Sequence, residues 1–187
     1  ANDASSSKPS LPKPLLCKGR WPVRAGGVVR SHSAARFRLE FLEKQPEHAT
    51  KVRVVRKKDT GIYEAMDQAT LEAEGEYYYF LNCGDLFTDT EVLKNIAQEI
   101  ETAKSKGSEA LIYYGDIYDA LRGQTVASNP HMDDFACYRN VPCHQACIYH
   151  YSLFLERGYE PKYRVRADYE HFLWSYFCKN AKPEYIP

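Results

Sequence analysis

Residues 75–85 read Gly-Glu-Tyr-Tyr-Tyr-Phe-Leu-Asn-Cys-Gly-Asp, an aromatic and aliphatic run that ends abruptly in a polar cluster. Such a run over residues 77–81 suits a buried strand, because a strand with one wet face would alternate apolar and polar residues. A buried strand needs other layers to cover it. It also delivers the residues that follow to a sheet edge, and in open α/β sheets ligands gather outside the carboxyl ends of the strands. Asn82 and Asp85 are therefore the first candidates for ligand or metal contact, with a plain Asn-Cys-Gly-Asp turn as the alternative.

The flanking segments alternate helix and strand patterns. Asp59 or Thr60 can cap a helix carrying Ile62, Met66, Ala69 and Ala73 on one face, with Gly75 placed to end it. Thr88 and Glu91 have capping-box spacing ahead of a helix with Val92, Leu93, Ile96, Ala97 and Ile100 on one face, closed by Gly107. Residues 110–114 form the next apolar strand, ending at Gly115-Asp116, and 117–121 with 125–127 read as a hairpin. Residues 128–142, with two prolines, predict an irregular or briefly helical excursion. A strand over 143–149 follows, then a short helix over 151–156, stopped at Gly158. The last helix, about 167–178, has Tyr169, Phe172, Leu173, Tyr176 and Phe177 on its apolar face; Asp168 lies off that face in the first turn, as a cap or as a carboxylate aimed at a cleft. A shorter helix over 37–44 and a strand over 51–56 precede all of these. Together the pattern predicts an α/β sandwich with a mixed, mostly parallel sheet and helices on both faces.

Net charge is zero, yet residues 1–58 hold 14 Lys and Arg against 4 Asp and Glu, while 59–187 hold 11 against 21. The positive charges are scattered among Pro, Ser and Ala without interleaved aromatics, so no nucleic-acid partner is expected. No apolar run approaches the roughly 20 residues that span a bilayer, and the amino terminus shows no secretory signal core. A cytoplasmic protein is expected, with room for peripheral association at the inner face of a membrane. The 6 cysteines contain no Cys-x-x-Cys pair and read as reduced thiols; Cys137, Cys143, His144 and Cys147 can be assembled into a zinc reading, but not with familiar knuckle spacings.

Five phrases stand in a familiar order: Gly61-Ile62-Tyr63-Glu64-Ala65-Met66-Asp67, then Leu81-Asn82-Cys83-Gly84-Asp85, Tyr114-Gly115-Asp116, Cys143-His144-Gln145-Ala146, and Ala167-Asp168-Tyr169-Glu170. Over residues 39–187 the chain resembles family 2 glycosyltransferases of bacterial polysaccharide synthesis, in the branch that reads "GIYDAMNKG", "FLNSGD", "HQA" and "ADYD". The resemblance implies a GT-A nucleotide-sugar fold and a donor pocket lined by Gly61, Asp67, Asn82, Asp85, His144 and Gln145. It also implies Asp85 as the ligand of Mg²⁺ or Mn²⁺, and Asp168 as the catalytic base. Asp67 departs from the branch, which has Asn there. Family members open on strands ending in phrases such as "DGGSTDGT", which bind the nucleotide base. Those phrases are absent from the basic, Pro- and Ser-rich residues 1–38, so the chain is expected to be a central portion of the family's domain or a divergent member.

The residue types suit the implied chemistry. Breaking the bond between an anomeric carbon and a diphosphate builds negative charge on the leaving group, which a divalent cation neutralises. An acceptor hydroxyl needs a carboxylate to take its proton as the new bond forms, and attack opposite the leaving group inverts the anomeric centre. The expected partners are a nucleotide-sugar donor and a saccharide or lipid-linked acceptor. Asp116 is a weaker candidate, as suited to a turn. The alternatives are a binding protein that keeps the fold without turnover, and a small metal- or nucleic-acid-binding module built on the cysteines and the basic segment.

Overall fold

A computed structural model describes residues 57–82 and 84–187, with one earlier strand at residues 16–18. The helix expected over 37–44 and the strand expected over 51–56 lie outside the described residues, as does the segment 1–38 apart from that strand. Among the described residues the chain is α/β. Its strands are β1 (Leu16–Lys18), β2 (Tyr77–Tyr79), β3 (Asp85–Phe87), β4 (Ile112–Tyr114), β5 (Ile117–Asp119), β6 (Gln124–Val126), β7 (Cys147–His150) and β8 (Pro183–Tyr185). Its helices are α1 (Ile62–Thr70), α2 (Val92–Ser105), α3 (Asp134–Arg139), α4 (Ser152–Leu155) and α5 (Ala167–Lys179).

The strands form two sheets, ordered β3-β1-β5-β6 and β2-β7-β4-β8. Both are mixed, and among the described strands the pairing is not mostly parallel as expected: β1/β5 and β4/β8 run parallel and the other four described pairings are antiparallel. Parallel neighbours need a long crossover. The segment carrying α3, α4 and α5 supplies one between β4 and β8, whereas β7 enters between β2 and β4 against the direction of both.

The second sheet is covered on both faces. Along β4 and β7, Ile112, Tyr114, Cys147 and Tyr149 pack against Met66, Leu153, Phe154 and Phe172 of α1, α4 and α5. The alternate residues, Tyr113 and Ile148, pack with Tyr77 and Tyr79 against Val92, Ile96 and Ile100 of α2. This is the two-residue period of a strand read by two helical layers. Burial of such apolar side chains stabilises by roughly 1.5–3 kcal/mol each. The strand from the opening run is shorter than expected and half buried, and it stands at the end of the second sheet among the described strands.

Helix boundaries and faces differ in detail. α1 stops at Thr70 instead of reaching Gly75; the Thr70 hydroxyl turns back onto the Asp67 carbonyl at 2.8 Å, a bond that competes with helix continuation. At its start the Thr60 N–H and hydroxyl both donate to Glu64, at 2.7 and 2.5 Å. α2 buries Val92, Ile96, Ile100 and Ala103, while Leu93 and Ala97 are exposed, so its stripe is narrower than predicted. The expected Thr88/Glu91 capping box gives way to Glu91 as a cap in helical conformation, whose N–H donates to Asp89 at 2.8 Å. Gly107, at φ 85°, closes α2 as expected: its N–H reaches the Lys104 carbonyl, and that of Ser108 reaches Ala103.

The hairpin of β5 and β6 forms as predicted, and the 128–142 excursion contains α3, capped by the Asp133 carboxylate, which accepts from the Ala136 N–H at 2.7 Å. The strand expected over 143–149 is instead a 3₁₀ turn, His144–Ala146, followed by β7. α5 buries Ala167, His171, Phe172 and Ser175, so its inner stripe is rotated from the aromatic face predicted for it. Small residues let α5 lie close to the sheet, while Tyr169 and Tyr176 reach sideways to α3, donating to the Cys137 carbonyl at 3.0 Å and to Asp134 at 3.1 Å. Among the described residues no helix is long and apolar enough to cross a membrane.

Candidate functional site

The polar end of the opening stretch is both a turn and the start of a strand. The Asn82 carbonyl accepts from the Asp85 N–H at 3.0 Å, and Gly84, at φ 96°, takes the left-handed conformation that glycine enters without strain. Asp85 then opens β3 with its side chain buried. Beside it, Tyr79 donates its phenol to the Gln145 carbonyl at 2.5 Å, and burial together with the Asp85 charge pushes that phenol's pKa up. Tyr79 thus ties the Asp85 edge to the His144–Ala146 turn.

That turn is held by the Ala146 N–H donating to the Cys143 carbonyl at 2.8 Å, and the Gln145 amide oxygen accepts from the Cys143 thiol at 2.8 Å. His144 is buried beneath Phe80, whose ring stacks on it at 5.4 Å, and neither imidazole nitrogen has a hydrogen-bond partner among the described residues. Burial lowers its pKa while Asp168 pulls the other way, and burial prevails, so the ring is held neutral.

Asp168 lies in the first turn of α5, which starts at Ala167 after the cap Arg166, a non-glycine residue at φ 65°. Its Oδ1 accepts from the Tyr63 phenol of α1 at 2.7 Å. The carboxylate charge is felt by His144, Cys147, Tyr149 and Tyr159, and the neighbouring Ala167 packs in the same cluster as Cys147, Tyr149 and Tyr159. Tyr159 packs at 5.2 Å from Tyr63 and 6.1 Å from His144, and its hydroxyl is buried without a partner among the described residues.

Asp67 lies near the end of α1, where both carboxylate oxygens accept from the Tyr159 N–H, at 2.9 and 3.2 Å. Burial raises its pKa, partly offset by that N–H. Gly61 caps α1 with an extended backbone and open space where a Cβ would stand, so the described surroundings impose no need for glycine there. Asp116 accepts from the Ser128 N–H at 2.8 Å, bracing the hairpin.

The structure therefore gathers Asp168, His144 and the Asp67–Tyr159 loop into one cluster, with Gln145 and Asp85 adjoining through Tyr79. Gly61 stands at the start of the helix that brings Tyr63, and Asn82 stays in its turn. Tyr63, Tyr79 and Tyr159 were not singled out by sequence; Tyr63 lies inside a quoted phrase, but nothing in its spacing distinguishes it among 15 tyrosines. Two surface hollows, of about 480 and 550 Å³, lie elsewhere, beside the α2 terminus with β8 and between the α1 terminus and α4.

Among the described residues no three His, Cys, Asp or Glu side chains converge as a metal cage, and the zinc grouping of Cys137, Cys143, His144 and Cys147 is not formed. Cys143 and Cys147 are instead engaged with Gln145 and with the Cys143 carbonyl. Asp85 is a hard oxygen donor. One carboxylate of this kind suits Mg²⁺ or Mn²⁺ where substrate phosphates and water complete the shell.

The class so defined is an α/β protein with a carboxylate-histidine cluster at the junction of two helices and a 3₁₀ turn. No protein-family profile matches the sequence. The chain is similar to a PGL/p-HBAD biosynthesis glycosyltransferase of Mycobacterium tuberculosis and its Mycobacterium bovis counterpart, 28% identical over 126 residues, which is 67% of this chain and 47% of theirs. It is also 30% identical over 119 residues to an uncharacterized glycosyltransferase of M. tuberculosis, covering 62% of this chain and 44% of that one. The chain thus spans less than half the length of these curated relatives.

Proposed function

We propose that the chain transfers a sugar from a nucleotide-sugar donor to a saccharide or lipid-linked acceptor, on a GT-A-like framework and in cell-surface polysaccharide synthesis at the cytoplasmic side of a membrane. The observation that carries this reading is the convergence of Asp168, through Tyr63 and Tyr159, on the His144 turn, in a chain similar to proteins named glycosyltransferases. Asp168 takes the proton of the acceptor hydroxyl as that oxygen bonds the anomeric carbon and the bond to the diphosphate breaks, with inversion. Tyr63 occupies Oδ1 and leaves Oδ2 for the hydroxyl. Asp85 would hold Mg²⁺ or Mn²⁺ shared with the donor phosphates, a cation that neutralises the charge of the leaving group. Asn82, His144 and Gln145 face the donor, and Gly61 and Asp67 shape its pocket from α1.

A transfer assay over UDP, GDP and dTDP sugars with Mn²⁺ tests the proposal. The expected outcome is turnover with one donor class, reduced by about 10²–10⁴ in Asp168→Asn with donor binding within about twofold of the parent. Full donor binding without turnover would instead identify a fold-retaining binding protein, and unchanged turnover in Asp168→Asn would remove Asp168 from the chemistry.

A further inference from the structure

Tyr63 approaches Asp168 from a different helix, 105 residues away in sequence, and donates to its Oδ1 at 2.7 Å, the usual length of a well-formed O–H···O bond. The phenol is fixed on more than one side. Its ring packs against Tyr159 at 5.2 Å, and its oxygen lies against the backbone N–H groups of Arg166 and Ala167, where α5 begins. The hydroxyl donates to the first-turn carboxylate from beside the backbone that starts the helix. Arg166 and Ala167 are the two residues that aim Asp168, and Arg166 does so from the left-handed conformation, at φ 65°. Beyond the Tyr63 ring lie Tyr159 and, next to it, His144, neither of which makes a side-chain hydrogen bond among the described residues. Without the phenol, nothing else described holds the carboxylate's torsion.

We infer that Tyr63 is a positioning residue: its hydroxyl locks the Asp168 carboxylate so that Oδ2, and not Oδ1, meets the acceptor hydroxyl. This rests on the reading of Asp168 as the proton acceptor. A base must lie within hydrogen-bond reach of the proton it takes, and a misplacement of about 1 Å can cost on the order of a hundredfold in rate. The bond exists before substrate arrives, so its loss affects the chemical step and not donor capture. No proton passes through Tyr63; burial and the Asp168 carboxylate both raise its pKa, which keeps the phenol a donor.

The test is a double-mutant cycle on the full chain with Tyr63→Phe, Asp168→Asn and the pair, assayed for kcat, donor KM and thermal midpoint. Tyr63→Phe should lower kcat about 10- to 100-fold with donor KM unchanged. In the Asp168→Asn background it should have no further effect on kcat, a non-additivity that a purely structural role would not produce. Wild-type kcat in Tyr63→Phe alongside a dead Asp168→Asn overturns the inference and leaves the transfer reading standing. Equal kcat in wild type and Asp168→Asn overturns both. If Tyr63→Phe lowers the midpoint sharply, Tyr63→His, which keeps a ring donor, should recover part of the kcat lost in Tyr63→Leu; equal losses in those two variants also overturn the inference.

Discussion

A Cβ placed on Gly158 would stand 2.2 Å from Asp67 Oδ1 and 2.4 Å from its Cγ, so the carboxylate that anchors Tyr159 occupies the space an alanine would need. Gly158→Ala should destabilise the fold by about 1–3 kcal/mol, read as a lower thermal midpoint, with most of the loss disappearing in an Asp67→Ala background. An undiminished loss in that background would mean the clash is not with Asp67. His171 supplies a second residue-level expectation. It is fully enclosed, stacked on Phe154 at 4.4 Å, and burial, followed by the Arg157 cation, lowers its pKa to about 4. Between its ordinary value near 6.5 and about 4, the unfolded chain binds a proton that the folded chain refuses. Stability is therefore whole above about pH 6.5 and falls as pH drops toward 4, by up to roughly 3 kcal/mol. Urea midpoints across that range should fall less steeply in His171→Phe; parallel curves would assign the loss to other groups, of which His144 acts in the same direction. At this scale Asp85 and Asp168 stand out in the sequence because they terminate or begin patterned segments, and their roles remain those proposed. Tyr63 and Tyr159 do not stand out, since tyrosine is an ordinary strand and core residue and only tertiary contact separates these two from the rest.

Among the elements, α2 shows what pattern reading captures and what it misses. Its existence and its closure at Gly107 follow from periodicity and a left-handed glycine, yet Leu93 lies 48% exposed because the helix meets the sheet along one narrow stripe. Ile96→Ala should cost about 2–4 kcal/mol and Leu93→Ala under about 1 kcal/mol; comparable losses from chemical denaturation would place Leu93 in the core. α5 differs for a related reason. Its aromatic residues suggested an inner face, but close approach to the sheet favours Ala167 and Ser175, and the tyrosines are spent on α3. The sequence around His144 predicts strand because apolar neighbours continue through Tyr149, and no local signal marks a single 3₁₀ turn.

For the whole molecule, the α/β class, the mixed sheet and helices on both of its faces were legible from alternating periods. Strand direction was not, because pairing is decided between segments far apart in the chain, as where β7 lies between β2 and β4. Thermal shift tests the proposed donor edge at this scale. One class among UDP, GDP and dTDP sugars should raise the midpoint with Mn²⁺ more than without it, and Asp85→Ala should abolish the difference; an unchanged shift would put the cation elsewhere. The cluster itself is closed by the Tyr63–Asp168 and Asp67–Tyr159 bonds, which span 105 and 92 residues. Contacts of such range close large loops and form slowly, whereas α2 and the β5–β6 hairpin need only their own neighbourhoods. During refolding, circular dichroism should therefore recover helix before the tyrosine cluster assembles, and the proposed transfer activity should return with that later assembly, making turnover a clock for the last step of folding.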